Sequence, residues 1–498
     1  MGRTSAQFGS RARLRGWWVM ALVAIGWAPP AYAEEAKETE PPAEIVQAPP
    51  PPSTDVTPPA EPTKPDLHRN HPERVPQSDF QSFAQSLENA HVMPPGLHWD
   101  EGLWLHRKRD RFTMRLNWRM DIDYVGVNDD KYVAAGGRTG NTSSGMQMRR
   151  ARLTVRGDLG RHSYYKASVE ATDASAGLRD FFWEWRRPND TGAAWLPVFK
   201  VGNFFEPYSL EQQTPSSRLT FMSRSASTLS IGLGRAFGVM AYDTFNDDKW
   251  GYALGAFVSP LSSLKEFGDR VVDETLVRDG YGVTGRVWWM PWGDSRGICK
   301  RLLVGASFSR RIDMTGIQFR ARPESHKFDF VIDTDFSTDA AGVPLLDDAS
   351  TAYLTSIEAA WQNGAFGLQG EYYWSRVKSV AAANPLFHGG YVQASYWLTG
   401  ECRTIARGGV QPMHICNPRD PCKKDSGWGG VELAARYTTV NLIDGNVYGG
   451  EMHNLAFGVN WHLAERRRLM LNVVRAQVDD GIADEPIWIL QTRLQLEF

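Results

Sequence analysis

The chain has 498 residues, among them 46 Gly, 23 Phe, 16 Tyr and 19 Trp, enough for several ordinary domains or for the one large β architecture that the aromatic content favours. Lys and Arg (55) nearly balance Asp and Glu (57), which points away from nucleic acid and from an acidic tail. Mean hydropathy is −0.40, and past the first forty positions no apolar run approaches the roughly 18 to 20 residues of a spanning helix, which excludes a helical membrane protein.

Arg3, Arg11, Arg13 and Arg15 make a basic start, residues 17–28 a short apolar stretch, and Ala31-Tyr32-Ala33 a small-residue cleavage site before Glu34. That order is an export signal, so residues 1–33 are expected to be a signal peptide cleaved near Ala33. In 34–76 the prolines Pro41-Pro42, Pro49 to Pro52, Pro58-Pro59, Pro62 and Pro65 alternate with Glu, Thr and Ala. This composition buries no core and favours extended polyproline II, a disordered periplasmic linker or tether. Over 77–110, Phe80, Phe83 and Leu87 lie at helical spacing and predict one short helix before an extended lead-in to the main domain.

From Phe112 the pattern changes. Phe112, Met114, Leu116, Trp118, Met120, Ile122 and Tyr124 alternate with Thr113, Arg115, Asn117, Arg119, Asp121 and Asp123, so a strand here has one apolar and one charged face. The last segment repeats it, with Trp488, Leu490, Leu494, Leu496 and Phe498 against Gln491, Arg493, Gln495 and Glu497. A soluble sandwich also alternates. Three features favour a membrane barrel: segments of about 10 residues, short connections alternating with longer ones, and Trp and Tyr at strand ends, as in Trp288-Trp289, Tyr372-Tyr373-Trp374 and Tyr396-Trp397. The predicted architecture for 111–498 is therefore all-β, a transmembrane antiparallel barrel of about sixteen strands. Residues 316–348 are read as one long external loop, because a strand at Ser325 to Thr334 would make the number odd.

The run Val201-Gly202-Asn203-Phe204-Phe205-Glu206-Pro207-Tyr208-Ser209-Leu210-Glu211, with Phe221-Met222-Ser223-Arg224 and Arg235-Ala236-Phe237-Gly238, resembles the signature of the phosphate-selective porins O and P. Arg149-Arg150-Ala151-Arg152-Leu153, the block from Tyr391 to Glu401, Glu432 to Tyr437 and Leu455 to Trp461 are similar to further blocks of that family. Asn203 and Ser223 stand where the family usually has Gln and Glu. The resemblance implies a trimeric sixteen-stranded outer-membrane barrel whose third loop folds inward to narrow an anion-conducting pore.

Anion passage has its own physical requirement, since Arg and Lys lining a pore replace part of an anion's hydration and a guanidinium fork suits phosphate oxygens. The polar faces supply Arg115, Arg119, Arg150, Arg152, Arg156, Lys166, Lys200, Arg286, Arg436 and Arg493, and the long segment 206–234 adds Arg218 and Arg224 before Arg235. These thirteen are the candidate path residues. The competing reading is that they pair with Asp121, Asp123, Glu170, Asp180 and Glu184 and only solvate the wall.

Gly232-Leu233-Gly234-Arg235-Ala236-Phe237-Gly238 has the wrong glycine spacing for a dinucleotide loop, and no zincin, hydrolase-elbow or P-loop motif is present. No enzyme, metal site or cofactor is expected. Cys299, Cys402, Cys416 and Cys422 fall in two connections that the barrel register assigns to the periplasmic side, where up to two disulfides are expected in any of three pairings, Cys416 with Cys422 being the easiest locally.

The sequence thus predicts a passive outer-membrane channel for phosphate, pyrophosphate or chloride. It would be embedded in outer-membrane lipid as a homotrimer, with the Pro-rich segment free to touch the cell wall. A general porin on the same scaffold is one alternative, and a structural anchor tethered to the wall is another.

Overall fold

In a computed structural model the described residues are 96–498 apart from 100–101, 108–110, 129–130, 135–137, 142–143, 172–175, 188–195, 247, 259–274, 278–279, 294–298, 407–408, 413–426 and 480–485. The expectations for 1–33, for 34–76 and for a helix at 80–87, with Cys416 and Cys422, lie outside them.

Sixteen strands build one closed wall. They are β1 (Phe112–Val127), β2 (Gly145–Asp158), β3 (Ser163–Ala171), β4 (Ala176–Trp185), β5 (Val198–Phe205), β6 (Arg235–Phe245), β7 (Trp250–Val258) and β8 (Tyr281–Gly293). There follow β9 (Lys300–Ile312), β10 (Thr351–Asn363), β11 (Phe366–Lys378), β12 (Leu386–Trp397), β13 (Gly430–Asp444), β14 (Val447–Ala464), β15 (Arg467–Asp479) and β16 (Ile487–Glu497). Each pairs antiparallel with the next, and β16 returns to β1 from Ile489↔Val127 to Glu497↔Arg119. Closure satisfies the backbone without leaving a sheet edge, which a strand protein in lipid requires.

The two-residue period sorts the side chains. Phe181, Val239, Leu254, Val283, Phe308, Ile357 and Phe457 are exposed on the outer face, whereas Asp121, Glu170, Arg286, Glu358, Arg436 and Arg493 are buried on the inner one. The aromatic doublets divide in the same way. Trp289 and Tyr396 point outward, Trp289 stacking on Trp250 at 5.0 Å, while Trp288, Tyr373 and Trp397 are buried inside.

Below the last residue of β16 the edge of β1 would be open. The lead-in covers it, because Leu97–Trp99 pairs with Leu103–Arg107, which pairs with β1 from Leu116 to Phe112. Phe498 completes the seam: its amide donates to the Trp118 carbonyl at 2.8 Å, the Trp118 amide donates back at 2.9 Å, and the two rings lie 5.5 Å apart.

Two segments fold into the barrel from the end opposite Phe498. The first, 206–234, is the inward third loop that the resemblance implies, and it carries the short helices α1 (Leu210–Gln213) and α2 (Ala226–Ile231). The second, 313–350, differs from its reading as an external loop. Its strands Ile317–Ala321 and Ile332–Asp333 pair with each other and not with the wall, so the barrel keeps its even number. Ile317, Phe319, Phe328 and Ile332 are buried in a cluster with Ile231 and with Leu354, Tyr373, Phe387 and Val440 of the inner wall. The physical reason is in the segment itself, whose large apolar side chains need cover that an exposed loop does not give.

Cys299 and Cys402 form a disulfide across a sequence separation of 103 residues. It joins the β8–β9 connection to the β12–β13 connection, both at the Phe498 end of the barrel.

Candidate functional site

The 206–234 segment is held against one side of the inner wall by its own backbone. Carbonyls in 216–223 accept in sequence from side chains of the wall and, with Arg403, of the β12–β13 connection: Gln495 donates to Ser217 at 3.1 Å, Arg403 to Arg218 at 2.7 Å, Arg468 to Leu219 at 2.7 Å, Asn460 to Thr220 at 2.8 Å, Arg493 to Met222 at 2.8 Å and Arg436 to Ser223 at 3.2 Å. Arg119 adds the Ser216 hydroxyl at 2.8 Å. Glu371 fixes α1 by accepting from the amides of Leu210 at 2.8 Å and Glu211 at 2.7 Å. Charged donors on neutral carbonyls are strong hydrogen bonds, so the segment is locked to β1, β11 and β13–β16.

This docking side uses several of the predicted arginines. Arg119 pairs with Asp121 at 2.7 Å, Arg493 with Asp123 at 2.7 Å, and Arg436 with Glu211 at 3.3 Å and with Glu324 of the second inward segment. Arg286 is likewise buried, on Glu358 at 2.6 Å. Arg224 turns back on its own segment, donating to the carbonyls of Glu211 at 3.0 Å and Thr214 at 2.9 Å. Arg218 donates to the Glu465 carbonyl at 2.9 Å. Arg115 stacks 4.7 Å over Trp104 of the lead-in, and Arg156 sits between Arg115 and Lys166 in register, with no carboxylate partner among the described residues.

The facing side, β2–β6, is organised differently. Glu170 is a hub. Arg150 reaches it at 2.7 Å, Arg152 at 2.8 Å and Arg179 at 2.8 Å, and Arg150 also binds Asp121 at 2.7 Å. Asp180 takes Lys166 at 2.8 Å and Arg235 at 2.8 Å, and Glu184 takes Arg186 at 2.8 Å and Lys200 at 3.3 Å. Arg235 also lies 3.7 Å over the Phe205 ring, and Lys200 4.6 Å from Phe182. On these strands cations outnumber carboxylates, and the two kinds of charge are layered. The carboxylates of Glu170, Asp180 and Glu184 are 0%, 7% and 6% exposed, whereas Arg152, Arg179, Arg235, Lys200 and Lys166 keep 13% to 30% of their side chains accessible.

Strict alternation does not find every member. Arg179 and Arg149 both sit at bulges. Ser168 of β3 faces both Arg179 and Asp180 of β4, and β2 carries Arg149 as an extra residue between the pairs Asp121↔Arg150 and Ile122↔Met148. A bulge turns consecutive residues to one face, which brings both arginines inside. Arg149 Nη2 lies 3.0 Å from His326 Nε2, and burial together with that guanidinium pushes the His326 imidazole well below its ordinary pKa, so the ring stays neutral and accepts. The docking donors Arg403 and Arg468 were also unanticipated: Arg403 lies in a connection, and Arg468 is hidden in the run Arg466-Arg467-Arg468, which reads as a solvated turn.

Among known proteins, one of Caulobacter vibrioides that is itself uncharacterized is 27% identical over 399 residues, spanning 78% of this chain and 74% of its own. The anion-selective porin from Comamonas acidovorans is 13% identical with a TM-score of 0.46, covering 78% of this chain and all of that one. The outer-membrane channel DcaP of Acinetobacter baumannii is 10% identical with a TM-score of 0.46, covering 79% of this chain and 99% of that one. The family described as Phosphate-selective porin O and P matches residues 114–498, the whole closed barrel but for the first two residues of β1, and the chain belongs to that family of outer-membrane porins.

Proposed function

We propose that the chain is a passive, water-filled channel selective for anions, with phosphate-type oxyanions as its cargo. The observation that carries the reading is the layering on β2–β6. Water between this wall and the 206–234 segment meets guanidinium and ammonium groups, while the carboxylates that pair with them are buried behind. Because three guanidiniums share Glu170 and two cations share Asp180, pairing leaves a net positive face. A spread of partly satisfied cations binds an anion weakly and at several points, as passage requires. The forks of Arg152, Arg179 and Arg235 suit phosphate oxygens better than a spherical chloride.

The barrel is proposed to stand with its short connections and Phe498 in the periplasm and the 206–234 and 313–350 ends outside. Family membership supports a homotrimer, which light scattering in detergent checks through the mass.

Purified barrel in planar bilayers under a potassium chloride gradient tests the function. The expected result is a reversal potential on the chloride side and a chloride current that added phosphate reduces. Cation preference overturns the proposal, and absence of any conductance favours a structural anchor.

A further inference from the structure

Many of the inner arginines have carboxylate partners, but one group of cations on the outer face has none among the described residues. Arg310 of β9, Tyr353 of β10 and Arg376 of β11 form one row across three neighbouring strands, and Lys378 lies two residues beyond Arg376. Arg310, Arg376 and Lys378 are exposed and alternate with buried inner residues such as Arg311, Ser375 and Val377, so they point out of the barrel. The Arg310 guanidinium lies 5.8 Å and the Lys378 ammonium 5.6 Å from the Tyr353 ring, so both cations converge on one aromatic. Arg376 donates to the Asn384 carbonyl at 2.9 Å and keeps the rest of its fork. None of the three makes an ion pair among the described residues. The neighbouring Asp348 carboxylate is taken by the amides of Val380 and Ala381. By contrast, the band on β14 and β15 that holds His453 carries Glu451, in contact at 3.2 Å.

The row next to Arg310, Tyr353 and Arg376, toward the middle of the barrel, is Phe308, Thr355 and Trp374, with Ile357 beyond it. Apolar outer surface therefore gives way to Arg310 and Arg376 within one step of two residues, about 7 Å along the strand, and to Lys378 one step further, none of them ion-paired among the described residues. Such a step matches a boundary between hydrocarbon and headgroups, and it lies at the end from which the two inward segments enter. From this geometry we infer a binding site for a phosphorylated glycolipid headgroup of the outer leaflet, its phosphate held by Arg310, Arg376 and Lys378 over Tyr353 and its chains laid on Phe308, Ile357 and Trp374. Charge complementarity and the apolar ledge below select a lipid phosphate over a free ion. Because this site faces lipid, it is independent of the channel interior.

The test uses the full-length barrel in detergent with a phosphorylated glucosamine-based glycolipid as probe, its dephosphorylated form as comparison, and native mass spectrometry as readout. The unaltered chain should retain the phosphorylated probe about ten-fold better than the dephosphorylated one, and Arg310→Ala/Arg376→Ala/Lys378→Ala should abolish that preference. The single variant Lys378→Ala, at an exposed strand end, should fold and show part of the loss. Equal retention of both probes, or an unchanged preference in the triple variant, overturns the inference. Displacement of the probe by inorganic phosphate at equal concentration also overturns it, since the site would then be a free-anion site.

Discussion

Arg436 on β13 and Glu211 on the inward 206–234 segment, 225 residues apart in sequence, form an ion pair at 3.3 Å with both side chains almost completely buried. The same guanidinium holds Glu324 of the second inward segment and the Ser223 carbonyl, so a single wall residue pins both segments.

Arg436→Ala removes that pin and leaves two carboxylates buried without their charge partner. Breaking a buried pair in this way costs about 3 to 5 kcal/mol. The variant should lower the thermal midpoint of the folded barrel and give noisy, fluctuating single-channel currents. A wild-type midpoint with quiet currents would show that the segments are held elsewhere.

Arg224 and Arg235 flank the same segment but should behave differently. Arg235 pairs with Asp180 on the wall proposed to line the passage, whereas Arg224 is spent on carbonyls of its own segment. Arg235→Ala should weaken phosphate block of chloride current by about ten-fold, the effect of losing one charge-assisted contact, with chloride conductance largely kept. Arg224→Ala should loosen the segment and change the conductance of all ions together. Titration of phosphate against chloride current on each variant separates the two roles.

Glu170→Gln neutralises the hub beneath Arg150, Arg152 and Arg179. The passage gains positive charge, so the reversal potential should move further toward chloride. The same change takes the charge partner from buried arginines, so stability should fall. An unchanged reversal potential would mean that Glu170 lies off the ion path.

The Cys299–Cys402 disulfide spans 103 residues, a closure worth at most about 4 to 5 kcal/mol by the chain-entropy argument. Cys299→Ser/Cys402→Ser should lower the thermal midpoint. It should also loosen Arg403, next to Cys402, which pairs with Glu432 at 2.6 Å and donates to the Arg218 carbonyl. Melting of oxidised and reduced protein, followed by intrinsic tryptophan fluorescence, measures the first effect.

The two-residue period determined the barrel, because in a strand each residue's place in the sequence already states its face. Phe308 and Arg310 point to lipid and Glu170 and Arg436 point inward for that reason alone, and the inward 206–234 segment was legible through the family resemblance of its residues. Other features required the closed structure. Bulges at Arg149 and Arg179 break the period by one residue, which alternation cannot register. The apolar side chains of 313–350 had no visible partner until sixteen strands enclosed a space for them. Whether an arginine docks a loop, as Arg493 does on Asp123 and Met222, or joins a hub on the facing wall, as Arg152 does on Glu170, depends on contacts that barrel closure makes. Cys299 found Cys402 for the same reason, since barrel closure sets their spacing while the sequence sets only their number. Local pattern fixes which way a strand residue points, and only the tertiary fold decides what it meets there.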